Sequence, residues 1–326
     1  MTALRWGILA TGGIAHAFTA DLKTAGLTVT AVGSRRSESA QEFAAKYGIP
    51  RSYGSYDELV ADPEVDIVYI ATPHSHHLAC AALALEHGKH VLIEKPLTLD
   101  ADQAVAIRDL AADHGLLAME AMWTRYLPHM VRLREILAAG VIGEVRVLSA
   151  DHTQNLPTDP DHRLNDLALG GGALLDLGIY PVSFAWDVLG APAEILATAQ
   201  LGETGADTDV AISVRHASGG VSSLLTSMRG AGANAAQIVG TKGRIEIDGV
   251  FYAPTSFRVF DVDGAVVEEF RAEIDGRGMQ FQALYAEQLI AEGRTDSDLL
   301  PMDESVAIMG TLDEIRRQIG VVYPRS

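Results

Sequence analysis

The stretch Arg5-Trp6-Gly7-Ile8-Leu9-Ala10-Thr11-Gly12-Gly13-Ile14-Ala15 decides how this chain folds. Arg5–Ala10 is a short apolar run and predicts a strand. Ile14, Phe18 and Leu22 then recur at four-residue spacing, which is one face of a helix. The joint between them, Ala10 to Ala15, fits the dinucleotide fingerprint with alanine at its first and last marked positions. Gly12 lets a pyrophosphate approach the backbone. The helix that opens at Gly13 and Ile14 offers unpaired N–H groups and the positive end of its dipole, with Thr11 at its lip. Alanine is an accepted variant at the last position, whereas Ala10 in place of the first glycine is a departure.

Working outward, strands and helices alternate. Thr28–Gly33, Asp66–Ala71, His90–Ile93 and Leu116–Met119 read as strands. Helices are predicted around Ala40–Tyr47 (closed by Gly48, with Ser39 and Glu42 spaced for a capping box), up to Glu86 before Gly88, and over Asp100–Ala112. This alternation means a parallel sheet with crossover helices, an α/β Rossmann-type domain over residues 1–122. The pattern changes after Met122. A helix at Leu127–Ala139, a strand at Glu144–His152 and an irregular stretch to Leu169 lead to the triplet Gly170-Gly171-Gly172 and a further helix to about Val188. Hairpin-ordered strands follow, then two helices near Met279–Ile290 and Asp303–Ile319. Residues 123–326 are therefore predicted to form an α+β domain with a mainly antiparallel sheet.

Composition narrows the function. With 326 residues, 48 % of them apolar, the chain suits two well-buried domains. Its net charge of −18 repels a phosphate backbone or an anionic membrane, so neither nucleic acid nor membrane is an expected partner. No uninterrupted apolar run approaches the ~20 residues of a membrane span. The early first strand leaves no room for a leader peptide, and the single Cys80 fits a reducing compartment, so a cytoplasmic location is expected. His74, His76 and His77 crowd one turn, but no Cys or carboxylate cluster completes a metal site, and none is expected.

Three short segments carry the chemistry. At the end of the second predicted strand, Gly33-Ser34-Arg35-Arg36-Ser37 lacks the carboxylate that binds ribose hydroxyls in NAD enzymes. Two guanidiniums and two hydroxyls match a 2′-phosphate, so NADP is favoured over NAD. Glu94-Lys95-Pro96 follows the fourth strand directly, where ligands bind in such sheets. Lys95 there can hold a substrate hydroxyl and steady developing negative charge, and the bond before Pro96 is a candidate for cis. Asp176 and Tyr180 lie four apart on an otherwise apolar helix, on one predicted face. A carboxylate in that setting needs a partner, for which Lys95 is available. A phenol beside an ammonium makes a workable acid/base for a hydroxyl–carbonyl pair.

Together these segments, with Thr72-Pro73-His74-Ser75-His76-His77, Met119–Arg125 and Gly240-Thr241-Lys242-Gly243, resemble the glucose–fructose oxidoreductase / inositol dehydrogenase (Gfo/Idh/MocA) family over nearly the whole chain. The resemblance implies a Rossmann domain followed by a domain with an open, mainly antiparallel sheet, often a homodimer interface. It implies Lys95 and Tyr180 as the catalytic pair, with Asp176 in the pocket of a small sugar, polyol or trans-diol. Thr72, His74, His77, Glu94 and Arg163 are implied at the cofactor, the two histidines along the nicotinamide ribose. Trp123 is implied to wall the pocket and Phe281 to close it. Two alternatives share the fold, a glycosidase that uses its nicotinamide transiently and a non-catalytic dinucleotide sensor. The intact Lys95, Asp176 and Tyr180 argue against a sensor.

Overall fold

A computed structural model of the chain describes residues 4–271 and 273–324, and these gather into two compact units. The first comprises Met1–Trp123 with Asp275–Val306. Its strands β1 (Arg5–Leu9), β2 (Thr28–Gly33), β3 (Arg51–Tyr53), β4 (Ile67–Ile70), β5 (His90–Glu94) and β6 (Ala118–Ala121) form one sheet in the order β3-β2-β1-β4-β5-β6. Every pairing in it is parallel. Helices α1 (Gly13–Thr24), α2 (Ser37–Tyr47), α3 (Tyr56–Ala61), α4 (His77–Glu86) and α5 (Ala101–His114) make the crossovers. The strand order reverses between β1 and β4, so the glycine loop after β1 stands at the switch point where ligands bind in such folds. All four residues of β4 are buried, as expected of a strand covered on both faces.

Three details differ from the sequence reading. The three residues of β3 carry no apolar period, and pairing with β2 alone makes them a strand. Helix α2 starts at Ser37, three residues earlier than a Ser39 cap requires. Its cap position is Arg36, without a side-chain cap, and Ser39 lies in the first turn. Residues 275–306, grouped by sequence pattern with the second domain, cluster with the first unit. There α8 (Gln280–Ala291) packs on α1, and Trp6 Nε1 donates to Glu287 at 2.8 Å. Buried Asp21 of α1 accepts the backbone N–H groups of Arg277 (2.9 Å) and Met279 (2.8 Å), which fixes the entry to α8.

The second unit holds Thr124–Ile274 and Ala307–Ser326. Its eight-stranded sheet uses β7 (Val145–Thr153), β8 (Pro192–Leu201), β9 (Asp207–His216), β10 (Val221–Ser227), β11 (Ala236–Gly240), β12 (Gly243–Ile247), β13 (Ser256–Asp261) and β14 (Val266–Arg271). The order is β14-β13-β12-β11-β7-β10-β9-β8, antiparallel throughout except for the β7–β10 pair. Helix α6 (Pro128–Ala138) precedes the sheet, α7 (Ile179–Leu189) packs on β7 and β10, and α9 (Met302–Ile319) starts in the first unit and ends in the second. The other sheet face is open. Leu196, Ser213, Ser223 and Ser149 form one exposed row across four strands, with Val147, Val221 and Leu225 exposed on the same face.

One expectation about apolar length needs correcting. Leu167–Leu189, a short 3₁₀ turn, the glycine triplet and the helix that follows it, spans 23 residues with the length and composition of a membrane-crossing segment. Its most apolar window is 83 % buried, so here it is the core helix of the unit.

Candidate active site

The first unit supplies a cradle. Ala10 takes φ +83°, the left-handed conformation that the usual glycine adopts freely, so the alanine is tolerated at a strain cost. Gly12 caps α1 without any side-chain bond, leaving the first helical N–H groups open. A Cβ built at Gly12 or Gly13 would meet nothing within 4 Å. The protein's own packing therefore gives no reason for glycine at either position, whereas a ligand close to the backbone does. Thr11 and Ile14 are half-buried at the rim. At the tip of β2, Ser34 is buried while Arg35 and Arg36 are exposed. The Arg36 guanidinium donates to Ser39 Oγ at 2.8 Å. That makes Ser39 a brace for the basic turn instead of the helix cap it resembled.

Lys95 sits half-buried just past β5, and the Lys95–Pro96 bond is cis. His77 holds this turn from below. Its Nδ1 lies 3.0 Å from the Pro96 carbonyl and 3.2 Å from that of Leu97, and its Nε2 lies 3.1 Å from the Thr72 carbonyl. His77 has no exposed surface, and burial pushes its pKa down to about 4. The expected contact of His77 with a nicotinamide ribose is therefore corrected. The residue packs between the Lys95 turn and the end of β4, and as a neutral ring it donates its single N–H to only one of the two. Thr72 and His74 are also buried at that strand end. Glu94 is buried too and accepts the Tyr69 hydroxyl; burial raises its pKa against that hydrogen bond and the charge of Lys95. Trp123 is buried, with the exposed Arg277 guanidinium 5.8 Å from its ring centroid. Phe281 is half-buried on α8 of the same unit. Arg277 escaped the sequence reading because only the Asp21 anchor brings its loop to this side of the unit.

The second unit supplies the Asp–Tyr pair. The helix ahead of α7 is not a regular α-helix, because residues Leu174–Gly178 form a π turn in which the Ile179 N–H reaches the Leu174 carbonyl five residues back. This shifts the phase between Asp176 and Tyr180 relative to an ideal helix. Arg163 Nη1 lies 3.4 Å from Asp176 Oδ1, which makes Arg163 a partner of the carboxylate. Tyr180 is buried in an aromatic wall, its ring 5.0 Å from both His152 and Tyr252, which stack on each other at 3.7 Å. The Gln154 amide nitrogen lies 2.9 Å from His152 Nε2, so the ring hydrogen sits on Nδ1 and is donated to the Leu177 carbonyl at 3.2 Å. Leu177 belongs to the π turn, so the turn itself anchors the wall behind Tyr180. His152 and Tyr252 were missed because they lie 28 and 72 positions from Tyr180, and only the packing of α7 on the sheet and the loop after β12 joins them. Among the described residues, no group of three or more His, Cys, Asp or Glu side chains is placed to hold a metal.

Comparison with known proteins agrees with both halves. Residues 4–122 match the family described as "Oxidoreductase family, NAD-binding Rossmann fold" and residues 130–246 match the "GFO/IDH/MocA C-terminal domain". A trans-1,2-dihydrobenzene-1,2-diol dehydrogenase of Bos taurus is 36 % identical, the match covering 99 % of each chain. An NADP(+)-dependent D-xylose 1-dehydrogenase of Hypocrea jecorina is 37 % identical over 98 % of this chain and 93 % of its own. Among solved structures, a 3-ketoreductase of Actinomadura kijaniata, in complex with NADP and TDP-benzene, is 28 % identical over 98 % of each chain with a TM-score of 0.86.

Proposed function

The chain belongs to the Gfo/Idh/MocA oxidoreductase family, and on that premise we propose that it is an NADP-dependent dehydrogenase acting on a CH–OH/C=O centre of a small sugar, polyol or trans-diol. The observation that carries the chemistry is Tyr180, a buried phenol fixed in an aromatic wall at the head of α7. The open glycines of the cradle and the exposed Arg35 and Arg36 fit a phosphorylated dinucleotide. Thr11, Gly12, Gly13, Ile14, Ser34, Arg35, Arg36, Thr72, His74 and Glu94 would hold it. When bound, its nicotinamide supplies the carbon that gains or gives the hydride. Tyr180 takes the proton of the substrate hydroxyl during oxidation and returns it during reduction. Lys95, at the end of β5, steadies negative charge that develops on the substrate oxygen. Asp176, steadied by Arg163, accepts a neighbouring substrate hydroxyl, while Trp123 and Phe281 flank the substrate.

Substitution Tyr180→Phe tests this directly. Turnover with NADP⁺ and a pentose or trans-diol falls about a hundredfold or more, while NADPH binding, read by fluorescence, stays within twofold. Turnover close to that of the unsubstituted enzyme would remove Tyr180 from the chemistry. The same proposal takes the enzyme as a cytoplasmic homodimer. The exposed row from Leu196 to Ser149, with Val147, Val221 and Leu225, supports a partner on the open sheet face. The single cysteine, Cys80, is buried and can form no disulfide within the chain, which supports a reducing location. Light scattering of Leu225→Arg, expected to give monomer, checks the dimer.

A further inference from the structure

The glycine triplet ahead of the Asp–Tyr helix is explained by what presses against it. A Cβ on Gly171 would stand 2.7 Å from the Leu164 carbonyl oxygen. A Cβ on Gly172, whose φ is +132°, would stand 2.3 Å from Asp207 Oδ1. Asp207 opens β9 and has no exposed surface. Its Oδ2 accepts the Leu174 N–H at 2.6 Å, the first residue of the π turn. Its Oδ1 has no hydrogen-bond partner among the described residues. On the other side of the triplet the Tyr323 hydroxyl, itself buried, donates to the Gly171 carbonyl at 3.1 Å, and Arg316 lies over the Tyr323 ring at 4.8 Å.

A buried carboxylate with one oxygen unpaired is a costly way to cap a helix, since a serine or asparagine would satisfy the same N–H. What a charge adds is a strong bond to the helix start, reinforced by the helix dipole. The bond sits two residues before Asp176 and six before Tyr180, with the π turn between. Any slack at Leu174 is passed directly to both side chains.

We propose that Asp207 is a positioning residue for the reaction, its carboxylate clamping the start of the Asp176–Tyr180 helix, with Tyr323 as the second jaw of the clamp. The proposal rests on Tyr180 being the acid/base. It acts through geometry, so it changes the chemical step and leaves the first unit's dinucleotide cradle untouched.

The test compares Asp207→Asn, Tyr323→Phe and Tyr180→Phe in the full-length enzyme with NADP⁺ and its best pentose or diol. Asp207→Asn lowers kcat about tenfold or more while KM for NADP⁺ and NADPH binding stay within twofold, because a neutral amide holds the Leu174 N–H more weakly than the carboxylate and lets the near-attack geometry slip while cofactor contacts remain. Tyr323→Phe lowers kcat about threefold with the same cofactor constants, and it carries the test if Asp207→Asn does not fold. A folded Asp207→Asn with kcat within twofold of the unsubstituted enzyme overturns the inference, as does an unchanged kcat in Tyr323→Phe should the first variant not fold. A fall in kcat matched by an equal loss of NADPH binding also overturns it, because that pattern means general loosening. If Tyr180→Phe keeps full turnover, the acid/base reading itself has failed and the inference falls with it, a result distinguishable from failure of the clamp alone.

Discussion

Replacing Asp207 by asparagine should change how stability depends on pH. Burial lifts the Asp207 carboxyl from its ordinary 3.8 to about 6, against the Leu174, Asp207 and Ala173 backbone N–H groups and the charge of Arg316, all of which pull it down. The folded chain therefore holds this proton more tightly than the unfolded chain. Between about pH 4 and 6 it binds more protons than the unfolded state, so stability falls as pH rises through that window. Below 3.8 the penalty is absent. Above pH 7 it is complete and worth about 3 kcal/mol, and at pH 4.5 about 1 kcal/mol of it remains. Asparagine does not titrate, so the variant loses this slope. Relative to the unsubstituted chain, Asp207→Asn should gain about 2 kcal/mol between pH 4.5 and pH 7.5, whatever its offset at any single pH. Urea unfolding of both proteins at the two pH values measures this. Trp186, hydrogen-bonded to Thr311 within the second unit, serves as the fluorescent reporter in a Trp6→Phe, Trp123→Phe background. A stability difference that is the same at both pH values would refute the reasoning, since it would mean that the buried carboxyl titrates alike in folded and unfolded chains.

Other outcomes follow from the site. Ala10→Gly should raise stability by about 0.5–1 kcal/mol by relieving the left-handed alanine, seen as a higher melting temperature of the first unit; no rise would mean the strain is already offset locally. Arg35→Ala and Arg36→Ala should each raise KM for NADP⁺ about tenfold and leave KM for NAD⁺ nearly unchanged; equal effects on both cofactors would place the guanidiniums away from the 2′-phosphate. Gly172→Ala should cost about 2 kcal/mol or more, because its Cβ collides with Asp207 and its φ disfavours any side chain; circular-dichroism melts check it.

The first unit was largely legible because its signals are local. Continuous apolar strands, glycine stops and the loop after β1 each sit within one short window, and they locate the switch point without tertiary information. What escaped there depends on distant pairing. β3 exists only through β2, Ser39 looks like a cap until the helix is seen to start at Ser37, and residues 275–306 join the first unit through Asp21 and Trp6. His77 was visible as a motif residue but not as a buried brace, because no local pattern tells a histidine facing ligand from one facing three carbonyls. In the second unit the Asp176–Tyr180 spacing was legible and the π turn between them was not. Hydropathy read at a fixed helical step has no means of registering one extra residue in a turn. Asp207 lies in an ordinary strand-opening sequence, and only the collision it would have with a Gly172 side chain reveals its part.

That extra residue has a consequence for how the molecule tolerates length changes. A π turn absorbs one surplus residue in a wider loop of helix, so the stretches on either side keep nearly the phase of an uninterrupted α-helix. Deleting one residue of Leu174–Gly178 other than Asp176 would let the turn close as ordinary α-helix, leaving Tyr180 on the His152–Tyr252 wall and Ser183 and Asp187 on the buried Arg125. Deleting one residue of α7 itself would instead rotate everything beyond it by about 100°. This five-residue segment should therefore forgive the loss of one residue where the helix after it does not.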